Sequence, residues 1–420
     1  MRCSISCVRG LVATALVLCA AASPARAQCA PYRLTAPDGA ADDPLFGAAV
    51  AVDGDTLIVG ASIDDVGANA EQGSAHVYRW NGAMWVFEAT LTASDGAGGD
   101  FFGFSVALAG HTALVGAPGD DVGMNPDQGS AYVFTRSPGA RAAWIQQAKL
   151  VAGDAAANDS FGGSVAVSGD TAVVGAWEDD VGGNFDQGSA YVFTRSGTVW
   201  TQQAQLIASD GEGADRFGVN VAISGDTAIV GALYDDVGDV VDQGSAYVFT
   251  RVGTVWKEQA RLTASDGATG DFLGISVALS GDTAIVGALG TNAYQGSAYA
   301  FTRSGTVWNQ QAKITAPDGA ANDWFGYSVS LSGDTSVVGA QYDEVGQGSA
   351  WVFHRRNGLW RAPADANGDG SVDMDDIMSV LMNFGADYSS GSGPGDADGN
   401  SLVNFADVLS VLANFGAVCP

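Results

Sequence analysis

Six copies of one pattern fill most of the chain, and no other feature limits its possible folds as tightly. An F-G-like pair recurs at Phe46-Gly47, Phe102-Gly103, Phe161-Gly162, Phe217-Gly218, Leu273-Gly274 and Phe325-Gly326. Each is followed by a V-G-A triplet starting at Val59, Val115, Val174, Val230, Val286 or Val338, then by G-S-A. One tryptophan closes each unit: Trp85, Trp144, Trp200, Trp256, Trp308 and Trp360. Three independent markers thus count six units at spacings of 52 to 59 residues. A period of this length, built from short strand patterns, belongs to units that bury their apolar faces only against one another.

Within the unit at 161–211, four strands are expected. Residues 164–167 alternate and end at Ser168-Gly169-Asp170-Thr171, a tight hairpin turn in which glycine tolerates positive φ. Residues 171–176 form a nearly continuous apolar run, as in a strand covered on both faces. A third strand at 189–195 turns at Ser196-Gly197-Thr198, and a fourth covers 200–208. Four antiparallel strands repeated six times predict a mainly β fold, a six-bladed β-propeller. The last unit stops just after Trp360, so its fourth strand is expected to be missing. Residues 31–38 (PYRLTAPD) align with the fourth-strand segment 147–154 (QAKLVAGD), so an N-terminal strand is predicted to complete the last blade and remove the exposed sheet edges.

The pattern F-G-x-S-V-A, G-D-T-x-x-V-G-A and G-S-A-Y-V-F resembles the FG-GAP repeat, the blade of integrin α-chain heads and of many bacterial secreted proteins. The resemblance covers about residues 30–361 and implies extracellular recognition or adhesion. Integrin-type propellers have seven blades, against six here, and carry an acidic calcium loop between the first two strands of certain blades. In this chain that connection is only Gly-Asp-Thr, or Gly-His-Thr at 110–112, too short to wrap an ion. The family's calcium sites are therefore not carried over.

Residues 1–27 read as a secretory signal: Arg2 and Arg9, an apolar run at 11–22, then Ala25-Arg26-Ala27 as a small-x-small cleavage site. The run is too short to span a bilayer. Losing Arg2, Arg9 and Arg26 leaves 15 basic against 47 acidic side chains, a formal net charge of −32. That charge excludes nucleic acid and anionic membrane as natural partners, and no membrane insertion is expected.

The acids have an expected address. In an up-and-down blade the 4→1 and 2→3 loops emerge on one face, and these carry Asp95 and Asp100, Asp154 and Asp159, Asp210 and Asp215, Asp266 and Asp271, and Asp318 and Asp323. The 2→3 loops add Asp64-Asp65, Asp120-Asp121, Asp179-Asp180, Asp235-Asp236 and Asp343-Glu344. Arg136, Arg195, Arg251, Arg303 and Arg355 end third strands and so approach the opposite face. One reading is a face that binds divalent cations, a cationic protein or a glycan; the other is that aspartate caps turns and keeps an exported protein soluble. Blade five breaks the acid pattern with Leu289-Gly290-Thr291-Asn292-Ala293-Tyr294, where a ligand needing one site would sit.

No catalytic constellation emerges. His76, His111 and His354 are scattered through the repeats, without metal-ligand spacing and without a Ser-His-Asp set. Paired acids could serve a glycosidase, yet six near-equivalent copies point to turn structure, since chemistry needs one asymmetric site. The tryptophan in each blade reads as packing, while Tyr32, Trp177 and Trp324 fall outside the pattern and are candidates for sugar stacking.

Residues 362–420 change character. The stretch 365–376, DANGDGSVDMDD, places oxygen ligands at loop positions 1, 3, 5, 9 and 12: Asp365, Asn367, Asp369, Asp373 and Asp376. Gly370 stands at position 6 for the sharp turn and Ser371 offers a carbonyl at position 7, the arrangement of a calcium loop. The pattern recurs at 396–407 with Asp396, Asp398, Asn400, Leu402 (carbonyl), Asn404 and Asp407. Each loop precedes a short helical stretch, 377–384 or 408–415, stopped by glycine. Duplicated calcium loops with only the exiting helix resemble a dockerin, the module that plugs secreted proteins into cohesin-bearing partners. The resemblance implies Ca2+ as cofactor, a cohesin-like protein as partner, and Met374-Asp375 and Phe405-Ala406 as the partner-reading pairs.

Three domains are therefore expected: a signal peptide at 1–27, a propeller at 28–361 and a dockerin-like module at 362–420. The expected function is non-catalytic recognition or adhesion outside the cell; the alternative is a component of a polysaccharide-degrading assembly. Cys29 and Cys419 are the cysteines left after export, and an even pair in an oxidising compartment predicts a disulfide between them, against two free or intermolecular thiols.

Overall fold

The computed structural model describes residues 34–37, 45–137, 143–346, 348–356 and 359–361. The expected signal peptide, Cys29, Tyr32, the expected dockerin-like module at 362–420 with its two predicted calcium loops, and Cys419 lie outside the described residues. Two compact units are distinguished, Met1–Thr35 and Ala36–Pro420. Of the first, only Leu34 and Thr35 are described, and neither is in a strand.

The second unit holds six four-stranded antiparallel sheets, each with its strands in chain order, at 50–91, 105–150, 164–206, 217–262, 273–314 and 325–361. This is a six-bladed β-propeller. The third blade shows the common design: Ser164–Ser168, Thr171–Ala176, Ser189–Ser196 and Val199–Leu206. The expected apolar run is the second strand, and it is fully buried because neighbouring blades cover both of its faces. The first hairpin turns on two residues, with Gly169 at φ 58°.

Each buried cluster straddles two blades. Leu114, Ala131, Val133 and Leu150 of blade two pack against Phe161, Val174, Tyr191 and Phe193 of blade three, and equivalent residues form four further junctions. The repeat markers are the contact points. A Cβ on Gly175 of the V-G-A triplet would lie 2.0 Å from the carbonyl oxygen of Gly218, the F-G glycine of the next blade. Only glycine permits that approach, which explains why both motifs recur together.

Among the described residues six blades in a row make five such junctions, and no blade covers the two end faces. Val50 and Val52 of blade one are each 62% exposed, whereas their counterparts in blade five, Val277 and Leu279, are 5% and 9% exposed. At the other end Val337 and Val352 of blade six are 38% and 39% exposed, where Ile229 and Val248 of blade four are fully buried. Gly47 has no atom within 4 Å of a hypothetical Cβ, and Gly339 meets only Ser328 of its own blade. The fourth strand of blade six is also present, contrary to expectation, and is described over Leu359–Arg361, paired with His354, Arg355 and Arg356. Fourth strands elsewhere run seven or eight residues.

Candidate functional site

The 4→1 and 2→3 loops meet on one face, as the alternation of strands requires. Phe102, Phe161, Phe217, Leu273 and Phe325 each donate a backbone N–H to the glutamine of the preceding blade's 2→3 loop: Gln72, Gln128, Gln187, Gln243 or Gln295. The acids of these loops are largely absorbed by the fold. In blade two the Asp120 carboxylate, 3% exposed, accepts from Ser130 Oγ and from Tyr132 Oη at 2.8 Å, and Lys149 Nζ lies 2.7 Å away. Blade three repeats this with Asp179, Ser189 and Tyr191, adding Gln205 at 3.3 Å. Blade four uses Asp235, Ser245, Tyr247 and Arg261. In blade one Ser74 binds Asp64 at 2.6 Å, and His76 fills the tyrosine's place, bonded to Ser74 and Thr90 at 3.0 and 3.1 Å. Blade five substitutes Thr291, whose hydroxyl sits 2.7 Å from Ser297 Oγ. A buried carboxylate needs such partners, and here they come from the serine of G-S-A and the residue two further on.

Other acids of these loops close turns. Asp100, Asp159, Asp215, Asp271 and Asp323 accept the backbone N–H three residues upstream and are at most 7% exposed. Burial raises Asp100, Asp159 and Asp215 to about 6, against an ordinary value of 3.8, although each backbone hydrogen bond pulls the other way. Asp65, Asp121, Asp180 and Asp236 each accept an N–H from within their own loop while staying exposed. The turn-capping role is thus filled. Among the described residues no three His, Cys, Asp or Glu side chains converge as a metal site would need.

The opposite face carries the third-strand arginines. Arg195, Arg251, Arg303 and Arg355 pair with the hairpin aspartates Asp170, Asp226, Asp282 and Asp334 at 2.6 Å and reach a threonine of the preceding blade at 2.8–3.0 Å. Three of them stack over the blade tryptophan at 5.1–5.3 Å, and Arg355 lies 5.9 Å from Trp360. The indoles of Trp200, Trp256 and Trp308 in turn donate to Gln147, Gln203 and Gln259 of the preceding blade at 2.9–3.0 Å. These tryptophans join blades.

The residues outside the pattern are placed differently. Trp177 lies over Gly163 and against Phe104, ring centroids 5.8 Å apart. Trp324 belongs to a larger group on the loop face: Tyr234, Phe272, Tyr294, Trp324 and Tyr342 follow one another through blades four, five and six at centroid separations of 5.6, 6.3, 6.4 and 4.5 Å. The irregular loop of blade five contributes Tyr294 at the centre of this run. Beside it, a cleft of about 350 Å3 is lined by Arg216, Tyr234, Asp215, Asp236 and Asp242. His111 and His354 do not join either group; His354 Nδ1 sits 3.1 Å from Thr335 Oγ1.

Sequence comparison agrees with this architecture. A family described as FG-GAP repeat matches six times, over residues 32–78, 85–134, 144–193, 200–249, 256–301 and 308–353. Five of the matches open on the blade tryptophan in a fourth strand and end in the third strand of the next blade. No curated protein matches the chain. With well over half of its length covered, the chain belongs to the FG-GAP repeat family.

Proposed function

We propose that this is an exported, non-catalytic recognition or adhesion protein whose loop face holds an extracellular protein or glycan. The observation that carries this reading is the fate of the acids. One constellation of Asp or Thr, Ser and Tyr or His recurs in five blades and is consumed by folding. Repeated structural carboxylates supply no lone acid–base pair for chemistry, whereas a broad loop face on a rigid scaffold suits binding.

In the same proposal residues 28–36 complete blade six, letting its bare face close on blade one. Arg33 aligns with Lys149 and Arg261, which pair with the buried Asp120 and Asp235, and with Lys313, which lies over the Tyr299 ring. Blade six has Ser349 Oγ and Trp351 Nε1 buried without a hydrogen-bond partner among the described residues, at the equivalent position. The dockerin-like segment 362–420 would then carry the propeller to a cohesin-like partner through Ca2+, with Cys29 and Cys419 bonded after export.

The test uses secreted mature protein against an immobilised cohesin panel with calcium or EDTA, alongside a polysaccharide-hydrolysis screen. Calcium-dependent capture without sugar release is expected. Release of oligosaccharides would favour the alternative, a working component of a polysaccharide-degrading assembly.

A further inference from the structure

We infer that the aromatic run across blades four to six is a platform for an uncharged saccharide chain, with the cleft at Arg216 receiving one end. The inference rests on the recognition reading and narrows its ligand.

The platform is held firmly. Phe272, Tyr294 and Trp324 have φ of 56°, 65° and 60°, a region that bulky side chains rarely adopt. The residue before the F-G pair is left-handed in blades two to six, yet it is Phe101, Ser160, Arg216, Phe272 and Trp324, never glycine or asparagine. The left-handed backbone belongs to the repeat, and at Phe272 and Trp324 it carries a large ring at a conformational cost. Backbone hydrogen bonds fix the loops that carry them: Trp324 N–H donates to the Tyr294 carbonyl at 3.0 Å, and Tyr342 N–H to the Asp323 carbonyl at 3.1 Å.

Ring orientation suits stacking. Phe272 and Tyr294 are inclined by 34°, and Tyr294 and Trp324 by 36°, whereas Tyr234 and Tyr342 stand at 90° and 85° to their neighbours, so the three central rings form the stacking surface and the outer two flank it. Tyr294 and Tyr342 are 40% and 46% exposed. A pyranose offers apolar C–H faces to such rings and hydroxyls to polar groups around them.

At the centre of the run no charge calls for a cationic ligand. The 2→3 loop of blade five, which carries Tyr294, is the one without a carboxylate. Where the run meets the cleft, Arg216 lies 5.6 Å over Tyr234 and 3.6 Å from Glu178, so the cleft's acids and not the rings are what a cation would meet. The cleft supplies both kinds of partner for hydroxyls, the Arg216 guanidinium as donor and Asp236 and Asp242 as acceptors.

The mature full-length chain should be retarded in native gels containing hydroxyethylcellulose, glucomannan or arabinoxylan, and titration with the matching hexasaccharide should show binding that persists from low to high salt. Tyr294→Asn, which keeps a residue tolerant of positive φ, and Tyr342→Ser should each weaken binding at least tenfold without lowering the melting temperature; Met124→Ser, on an exposed loop of blade two, should not. Retardation by none of the three polysaccharides, or retardation unchanged in the Tyr294→Asn/Tyr342→Ser chain, overturns the inference. So does salt-sensitive binding of polylysine that Tyr294→Asn abolishes. Calcium-dependent capture by cohesin with no saccharide binding would leave the recognition reading standing and remove this one.

Discussion

Arg136 reaches back across a blade boundary to Glu88, 2.6 Å away, while the other third-strand arginines pair with the aspartate of their own hairpin. The cause is His111, which stands where those hairpins have Asp55, Asp170, Asp226, Asp282 and Asp334. Glu88 also accepts from Trp144 Nε1 at 3.2 Å, the task of Gln147, Gln203 and Gln259 in later blades.

Glu88→Ala should therefore destabilise the propeller by about 2 kcal/mol, because a mostly buried guanidinium and an indole N–H both lose their acceptor. In a His111→Asp background Arg136 regains a hairpin partner, and the same change should cost about 1 kcal/mol less. A double-mutant cycle from chemical denaturation measures the coupling. Additive effects would show that Arg136 does not exchange partners.

The buried turn carboxylates set a pH dependence. Asp100, Asp159 and Asp215 are raised to about 6 in the folded chain from an ordinary 3.8. Between these values the folded state binds more protons than the unfolded state, so stability should rise as pH falls from 7 through 6 toward 4, and fall as pH rises through 6. Asp95 and Asp266 are lowered because hydrogen bonds to their lysines and tyrosines outweigh burial, and they oppose the trend only below pH 4. Melting at saturating calcium from pH 4.5 to 7.5 checks the sign. Asp215→Asn should remove about one proton from the slope; a curve that climbs between pH 5 and 7 contradicts the assignment.

How much could be read from the chain follows from what repetition reveals. Six copies in phase make the strand order, the Gly169 turn and the packing role of Trp200 legible, because each marker has five controls. The second strand is found with the predicted ends, Thr171–Ala176, since a strand covered on both sides has an unbroken apolar signature. The register shift between Val192 and Phe193 leaves no such trace, as no glycine or proline marks it. The bond from Ser130 to Asp120 spans ten residues and a loop, so only the fixed spacing of G-S-A from the aspartate pair could have announced it. The aromatic run is harder still. Phe272 and Trp324 come from 4→1 loops and Tyr234, Tyr294 and Tyr342 from 2→3 loops, so Trp324 alone stands out in sequence while its neighbours are supplied by three blades.

Closure of blade six on blade one carries its own test. Burying Val50, Val52, Val337 and Val352 would contribute on the order of 1 kcal/mol each, given that all four begin partly exposed. Deleting residues 28–36 should lower the melting temperature by more than ~5 °C and increase binding of a hydrophobic dye. A deletion variant that melts within a degree or so of the parent rules out the closing role.

If residues 365–376 and 396–407 bind calcium as proposed, the two loops should differ in strength. The first offers four carboxylates, from Asp365, Asp369, Asp373 and Asp376, and a glycine, Gly370, at the sharp turn. The second offers three, from Asp396, Asp398 and Asp407, with Ser401 at the turn position. Fewer charges weaken attraction for the ion, and a positive φ costs a non-glycine residue about 1 kcal/mol, roughly fivefold in affinity. Because folding and ion binding are coupled in such a module, calorimetric titration of the calcium-free mature chain should resolve a tight and a weaker site while helical circular dichroism rises. Asp365→Ala should abolish the tight site, and Ser401→Gly should bring the weaker one about fivefold closer to it. Full helical signal in EDTA, or no heat on adding calcium, would show that residues 365–376 and 396–407 are not ion-binding loops.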